Sequence, residues 1–313
     1  MTVGELLQAL VGDLELRGAR SLPQARAHLG FPAKVGDAPR SVLAAFGAWK
    51  ASELTADAID AYVERRLADG ARHATVNRGT QLLGQALRLG VRRGKLVSIP
   101  EIRRLREDNA RQGFFEVGEY EIIMANLPVY LQDVARFAFL TGWRRGEILS
   151  LTWADVDRDG GVVRLRPEHS KNRQGRTLAI EGDLKPLIDR RRQARVVTRS
   201  DQTTGVADLV FHRDGRPIVD FRKAWARACA GAGIAPGRAG RTFHDFRRTA
   251  VRNLVRAGVP ERVAMSVSGH KTRAVFDRYN IVSEADLRAA MQRQTAYVNA
   301  LPKTATVTSL GPR

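Results

Sequence analysis

The residues of this chain that could do chemistry are arginines, histidines and a tyrosine, several of them at helical spacing. In Arg241-Thr-Phe-His-Asp-Phe-Arg-Arg248, His244 and Arg247 stand three apart. On a helix that spacing projects both from one face and sets a proton carrier beside a fixed cation. Such a pair suits a phosphodiester, whose oxygens match a guanidinium fork and whose cleavage needs a proton moved. Taken alone the pattern is weak, because a chain with 6 histidines and 44 arginines meets it by chance, and His270-Lys-Thr-Arg273 is a second match. Upstream, Thr141-Gly-Trp-Arg-Arg-Gly-Glu147 places Arg144 and Glu147 three apart, with Ile148, Leu149 and Leu151 to anchor the element. An isolated pair of that kind is ordinarily a solvated ion pair. Downstream, Gly269-His270 precedes Tyr279 by nine residues, and the polar neighbours Asp277, Arg278 and Asn280 argue against a plain core aromatic. The sequence holds no Asp/Glu cluster with metal-binding spacing, and the lone Cys229 excludes internal disulfides and multi-cysteine zinc sites.

The charge of the whole chain points the same way. Its 52 lysines and arginines exceed its 33 acids by 19, and arginine, the residue best shaped for phosphate, outnumbers lysine by 44 to 8. A polyanion is the natural partner of such a surface. Residues 213–262 are the densest part, with twelve basic residues against four acids. At 43% hydrophobic the chain is no disordered basic tail, and 313 residues suggest two domains. No stretch has the run of ~18 apolar residues of a membrane helix. The N-terminus lacks the order of a signal peptide, so a cytoplasmic protein is expected.

The elements that must position these residues follow from periodicity. The first hundred residues read as helices: Val3, Leu6, Leu7, Leu10, Val11 and Leu14 share one face, and 55–69 follows a Thr55 cap and stops at Gly70. A third helix runs from about Thr75 to Gly94 and carries Arg78, Arg88, Arg92 and Arg93 outward. Those arginines are either a solvated face or a face laid along phosphates. The polar stretch around 98–113 reads as a linker, giving a helical domain over 1–100, a linker over 101–113, a second domain over 114–283 and a C-terminal helix and tail over 284–313. In the second domain helices are expected near 116–126, 131–141, 184–198, 219–232, 243–257 and 260–268. Strands are expected at 162–166, 177–180 and 210–211, with a hairpin tip between the first two that carries Lys171. The fold class is a mainly α N-terminal domain plus a helix-rich α+β domain with a small antiparallel sheet. Residues 284–300 form an amphipathic helix with Leu287, Met291, Gln294 and Val298 on one face. Trp143, Trp153 and Trp225 read as core or interface.

In order, Thr-Gly-x-Arg-x-x-Glu, a hairpin lysine, His-x-x-Arg, Gly-His and Tyr resemble the tyrosine recombinase (phage integrase) family over residues 112–282. Residues 54–63 and 74–78 resemble, more loosely, the family's helical core-binding domain. The resemblance implies a site-specific recombinase that cleaves and rejoins DNA through a 3′-phosphotyrosine, without metal or other cofactor. It assigns Arg144 and Arg247 to the scissile phosphate, Tyr279 to nucleophilic attack, His244 and His270 to proton transfer and phosphate holding, Lys171 to protonation of the leaving 5′-oxygen and Glu147 to orienting the site. The chemistry is consistent: a phenol of pKa ~10 needs a base and cations to attack, and guanidinium donors can stabilise the charge that builds on the phosphate. Arg78, Arg88, Arg92, Arg93, Arg241 and Arg248 are the expected DNA contacts. The implied partners are duplex DNA and sister protomers, four on synapsed DNA, with a monomer or dimer when free, and no membrane. No additional arm-site domain is expected, residues 1–40 being short for such a domain plus a linker. A type IB topoisomerase and a non-cutting DNA-binding accessory protein are the alternatives.

Overall fold

The chain is described from a computed structural model covering residues 1–32, 40–107, 113–170, 173–198, 202–237, 240–279, 282 and 284–301. It divides into two units, Met1–Asn109 and Ala110–Arg313. Among the described residues no helix is long and apolar enough to cross a membrane.

The first unit packs helices α1 (Val3–Leu16), α2 (Leu22–Leu29), α3 (Val42–Phe46), α4 (Ala56–Ala68) and α5 (His73–Arg92) around one core. Helix α1 starts where Thr2 and Glu5 form a reciprocal capping box, and α4 starts where Thr55 Oγ1 accepts from the Ala58 N–H. The period of α1 buries Val3, Leu6, Leu7, Leu10 and Val11, the face expected from the sequence. Helices α2 and α3 are too short for their periods to stand out in the sequence. The segment 99–107 runs along α5. Buried Asn77 donates to Leu105 O and to Glu107 Oε1 and accepts from the Leu105 N–H at 2.9 Å, while His73 Nδ1 lies 2.7 Å from Arg106 O.

The second unit begins with α6 (Val117–Asn126), α7 (Val129–Thr141) and α8 (Arg145–Leu149). A three-stranded antiparallel sheet follows, β1 (Val156–Asp157), β2 (Val162–Leu165) and β3 (Arg176–Ala179), in that order. Its register pairs Val163 with Leu178 and Leu165 with Arg176. Helix α9 (Leu184–Gln193) is shorter than the sequence suggests, because the chain turns at Ala194 into the hairpin of β4 (Val196–Thr198) and β5 (Thr204–Val206). The strand expected at 210–211 is instead buried coil. The neighbouring residues form a short ladder, β6 (His212–Arg213) with β7 (Arg216–Pro217). Helices α10 (Arg222–Gly231), α11 (Asp245–Arg256), α12 (Glu261–Ser268), α13 (Arg273–Phe276) and α14 (Glu284–Ala300) complete it.

The core of this unit gathers Phe115, Phe137, Trp143, Leu165, Phe211 and Phe246, and helices α7 and α11 cross within it. Trp225 and buried Cys229 belong to the same core, and burial pushes the Cys229 thiol up to about 11. A smaller cluster of Val251, Ala264 and Phe276 lies beside it, with Tyr279 packed against its edge. Helix α14 is tied to α11 through Arg256 and Asp286. Its Leu287, Met291, Tyr297 and Val298 are exposed.

Candidate active site

Helix α7 ends at Gly142, where a φ of 67° turns the chain. A side chain there would meet Ala250 Cβ of α11 at 3.2 Å, so glycine serves both the turn and the close crossing. The turn delivers Arg144 as the N-cap of α8. Its backbone N–H donates to Glu147 Oε2 at 2.9 Å and its Nη1 donates to Glu147 Oε1 at 2.8 Å. The i, i+3 contact legible in the sequence is therefore made, but Glu147 is only 2% exposed and is shared: Arg176 Nη2 donates to its Oε2 at 2.6 Å. Burial by itself would raise the Glu147 carboxyl. The hydrogen bond and charge of Arg176, then the backbone and side-chain hydrogen bonds of Arg144, outweigh it and hold the carboxyl below the usual range.

Helix α11 is started by Asp245, whose Oδ2 accepts from Thr242 N and Oγ1 at 2.7 and 2.9 Å. That turn sets His244 at the N-cap and Arg247 one turn in, on the same side. Arg247 is 1% exposed. Its Nη1 donates to Gly142 O and Ser268 O, and its Nη2 lies 3.0 Å from His270 Nε2. Arginine has only donors, so His270 Nε2 accepts and its proton sits on Nδ1. Nδ1 then donates to Ser268 Oγ at 2.8 Å, and that hydroxyl donates to Ala264 O at 2.7 Å. Burial, followed by the charges of Arg247, Arg144 and Arg176, presses the His270 pKa down to about 3. Burial and then Arg144 also lower Arg247, whose delocalised guanidinium stays charged. Arg247 Nε is buried with no hydrogen-bond partner.

Tyr279 follows α13, and its Oη lies 3.2 Å from His244 Nε2. The His270 and Tyr279 rings are 4.7 Å apart between centroids, and the guanidinium carbons of Arg247 and Arg248 lie 5.6 and 5.1 Å from the Tyr279 ring. His244 has one side open to solvent. Burial of its inner side, then Arg247, lowers its pKa to about 4, which leaves it neutral near pH 7 and able to accept the phenolic proton. Beside it a cavity of about 280 Å³ is lined by Trp143, Arg145, Thr242, Phe243, His244 and Arg247.

Five expected site residues, Arg144, His244, Arg247, His270 and Tyr279, thus share one site. Lys171, expected at the tip of the β2–β3 hairpin, lies outside the described residues. Arg78, Arg88, Arg92 and Arg93 are exposed on and just beyond α5. Two other expected DNA contacts, Arg241 and Arg248, also have partners within the protein. Arg241 is held by both oxygens of Glu119 at 2.9 and 3.0 Å, and Arg248, 9% exposed, donates to Arg278 O at 3.1 Å beside the tyrosine ring. Two further residues of the site escape a reading of the motifs. Ser268, which fixes the His270 tautomer, leaves no separate signal in the sequence. Arg176 does leave one: strand alternation puts it on the same face as apolar Leu178 and Ile180, which implies a core-facing arginine. Among the described residues no group of three or more His, Cys, Asp or Glu is placed to hold a metal ion.

A base touching a phenol, with buried guanidinium groups behind it, defines a site for nucleophilic attack on an anionic ester. The phage integrase family profile matches residues 104–285, and the chain belongs to that family. It is 29% identical over 200 residues to the integrase of Salmonella phage P22, covering 62% of this chain and only 50% of that protein. It is 26% identical over 254 residues to the tyrosine recombinase XerC of Mycobacterium sp. strain KMS, covering 75% and 81% respectively. The fold is that of lambda integrase, seen as a tetramer bound to a Holliday junction, with a TM-score of 0.68 at 17% identity over 87% of this chain and 78% of that one.

Proposed function

We propose that this chain is a site-specific DNA recombinase that cuts and rejoins strands through Tyr279. The 3.2 Å approach of His244 Nε2 to Tyr279 Oη, beside Arg247, carries the assignment. Neutral His244 takes the phenolic proton as Oη attacks phosphorus. The P–Oη bond forms, the P–O5′ bond breaks, and the DNA is left joined through a 3′-phosphotyrosine. Arg247 and Arg144 stabilise the charge that grows on the non-bridging oxygens. His270, held neutral by Arg247 and Ser268, completes the wall of the site, and Lys171 supplies the proton to the leaving 5′-oxygen. Attack by a new 5′-hydroxyl reverses each step, so bond energy is conserved without a high-energy cofactor.

The test is a suicide duplex carrying the sequence that the Tyr279→Phe protein selects from a random pool. Wild type should trap a covalent protein–DNA adduct and Tyr279→Phe none; adducts persisting in the variant would sink the assignment. The working assembly is four protomers on two duplexes, supported by the exposed apolar side chains of α14 and by the tetramer that lambda integrase forms. Light scattering of the DNA complex should show four protomers for wild type and fewer for Leu287→Asp with Met291→Asp. An undiminished mass in the variant would remove α14 from the assembly.

A further inference from the structure

Glu147 is the only acid that Arg144 contacts among the described residues, and it is not Arg144's alone. With a single partner, Arg144 and Glu147 would close into a neutral buried pair with little positive potential left for a phosphate. The second partner changes the sum: two guanidinium groups and one carboxylate carry a net positive charge. The two arginines are not equivalent. The Arg144 side chain is 24% exposed and the Arg176 side chain 10%, so Arg176 is the inner partner and Arg144 the outward one.

Arg176 is held in that inner place from three directions. Its guanidinium carbon lies 4.3 Å from the Trp143 ring centroid, and Trp143 is itself pinned by donating from Nε1 to Val267 O at 3.0 Å. The pairing of Arg176 with Leu165 fixes its position at the start of β3. Finally, a Cβ on Gly269 would sit 2.1 Å from Arg176 Nη1, so the glycine before His270 makes room for the guanidinium as well as taking a φ of 71°.

The geometry points to Arg176 as a positioning residue for strand cleavage: it takes up part of Glu147, so that Arg144 is oriented by the acid yet keeps its charge for the scissile phosphate. This rests on the recombinase chemistry proposed above. It also gives the site a dependence across chain-distant motifs, since the glycine before His270 makes room for the guanidinium that shares the acid of Arg144.

The experiment is single-turnover adduct formation on the suicide duplex, with DNA affinity measured in parallel. Arg176→Met should slow cleavage about 10- to 100-fold while changing DNA affinity less than about threefold. Adding Glu147→Gln to Arg176→Met removes the acid that Arg144 would otherwise face alone, and the double variant should cleave at least about fivefold faster than Arg176→Met. Damage to folding could not produce that recovery. A 5′-bridging sulfur at the scissile bond, which leaves without needing a proton, should not rescue Arg176→Met. Three results would each overturn the role: undiminished cleavage by Arg176→Met, a double variant no faster than the single, or rescue by sulfur, which would place Arg176 in the service of the leaving-group proton. Absence of any adduct in wild type would instead defeat the recombinase assignment itself.

Discussion

The arginines of α5 and those around Tyr279 carry the same charge in opposite surroundings. Arg78, Arg88, Arg92 and Arg93 stand in solvent, and none pairs with an acid among the described residues. Arg144, Arg176 and Arg247 are wrapped by protein acceptors: a shared carboxylate, two backbone carbonyls and an imidazole. An exposed charge exchanges a counterion for a phosphate and contributes affinity that salt erodes. A buried and oriented one stabilises charge that develops during reaction, and salt screens it little. On the proposed function the net charge of the chain would be divided between two tasks, and the division should show when each set is altered.

The largest effect should come from Arg247→Lys. An ammonium cannot reach Gly142 O, Ser268 O and His270 together, so cleavage should fall by about 10³-fold while DNA affinity changes less than about threefold. A parallel loss of affinity would erase the contrast between the two sets. The converse variant, Arg88→Ala with Arg92→Ala, should leave single-turnover cleavage at saturating protein unchanged. It should make the dependence of log affinity on log salt shallower by about 0.9 for each phosphate that the variant no longer neutralises. An unchanged slope would place those arginines away from DNA.

The smallest effect concerns pH. Burial, then the charge of Arg247, pushes buried His270 down to about 3 and His244, which is open to solvent, down to about 4, against 6.5 for the free side chain, so below 6.5 the unfolded chain binds more protons than the folded one. The contribution to stability, carried mainly by buried His270 because solvent screens His244, is complete above pH 6.5 and is lost as the pH falls toward 3. The melting temperature should drop over that window, and His270→Gln should lessen the drop by about 5 °C or less. An identical pH profile in the variant would mean that His270 is not held neutral.

How far the sequence discloses this depends on the range of the signal. The order of the expected site residues from Arg144 to Tyr279 is local motif chemistry, and every described member falls in one site. Helices with a clear period, such as α1, α5 and α11, are legible because their apolar faces are long enough to show. The β4–β5 hairpin is hidden behind the arginine-rich run of 190–195, which reads as helix until the turn at Ala194. The fates of Arg241 and Arg248 are hidden for another reason: Glu119 lies 122 residues from Arg241, and nothing in a linear text marks so distant a partner. Arg176 is legible in principle, since alternation with Leu178 faces it inward, but a basic residue near a hairpin tip is read first as surface.

Cys229, deep in the core of the second unit, makes the molecule easy to label elsewhere. It is fully buried and its thiol titrates near 11, so almost none of it is thiolate at neutral pH and maleimides cannot reach it. The native chain can therefore take a cysteine at an exposed position on α5 and another on α14 and accept fluorophores there alone, with no need first to remove the natural thiol. The response of each unit to DNA, and any movement of the C-terminal helix, become observable as distances in single complexes.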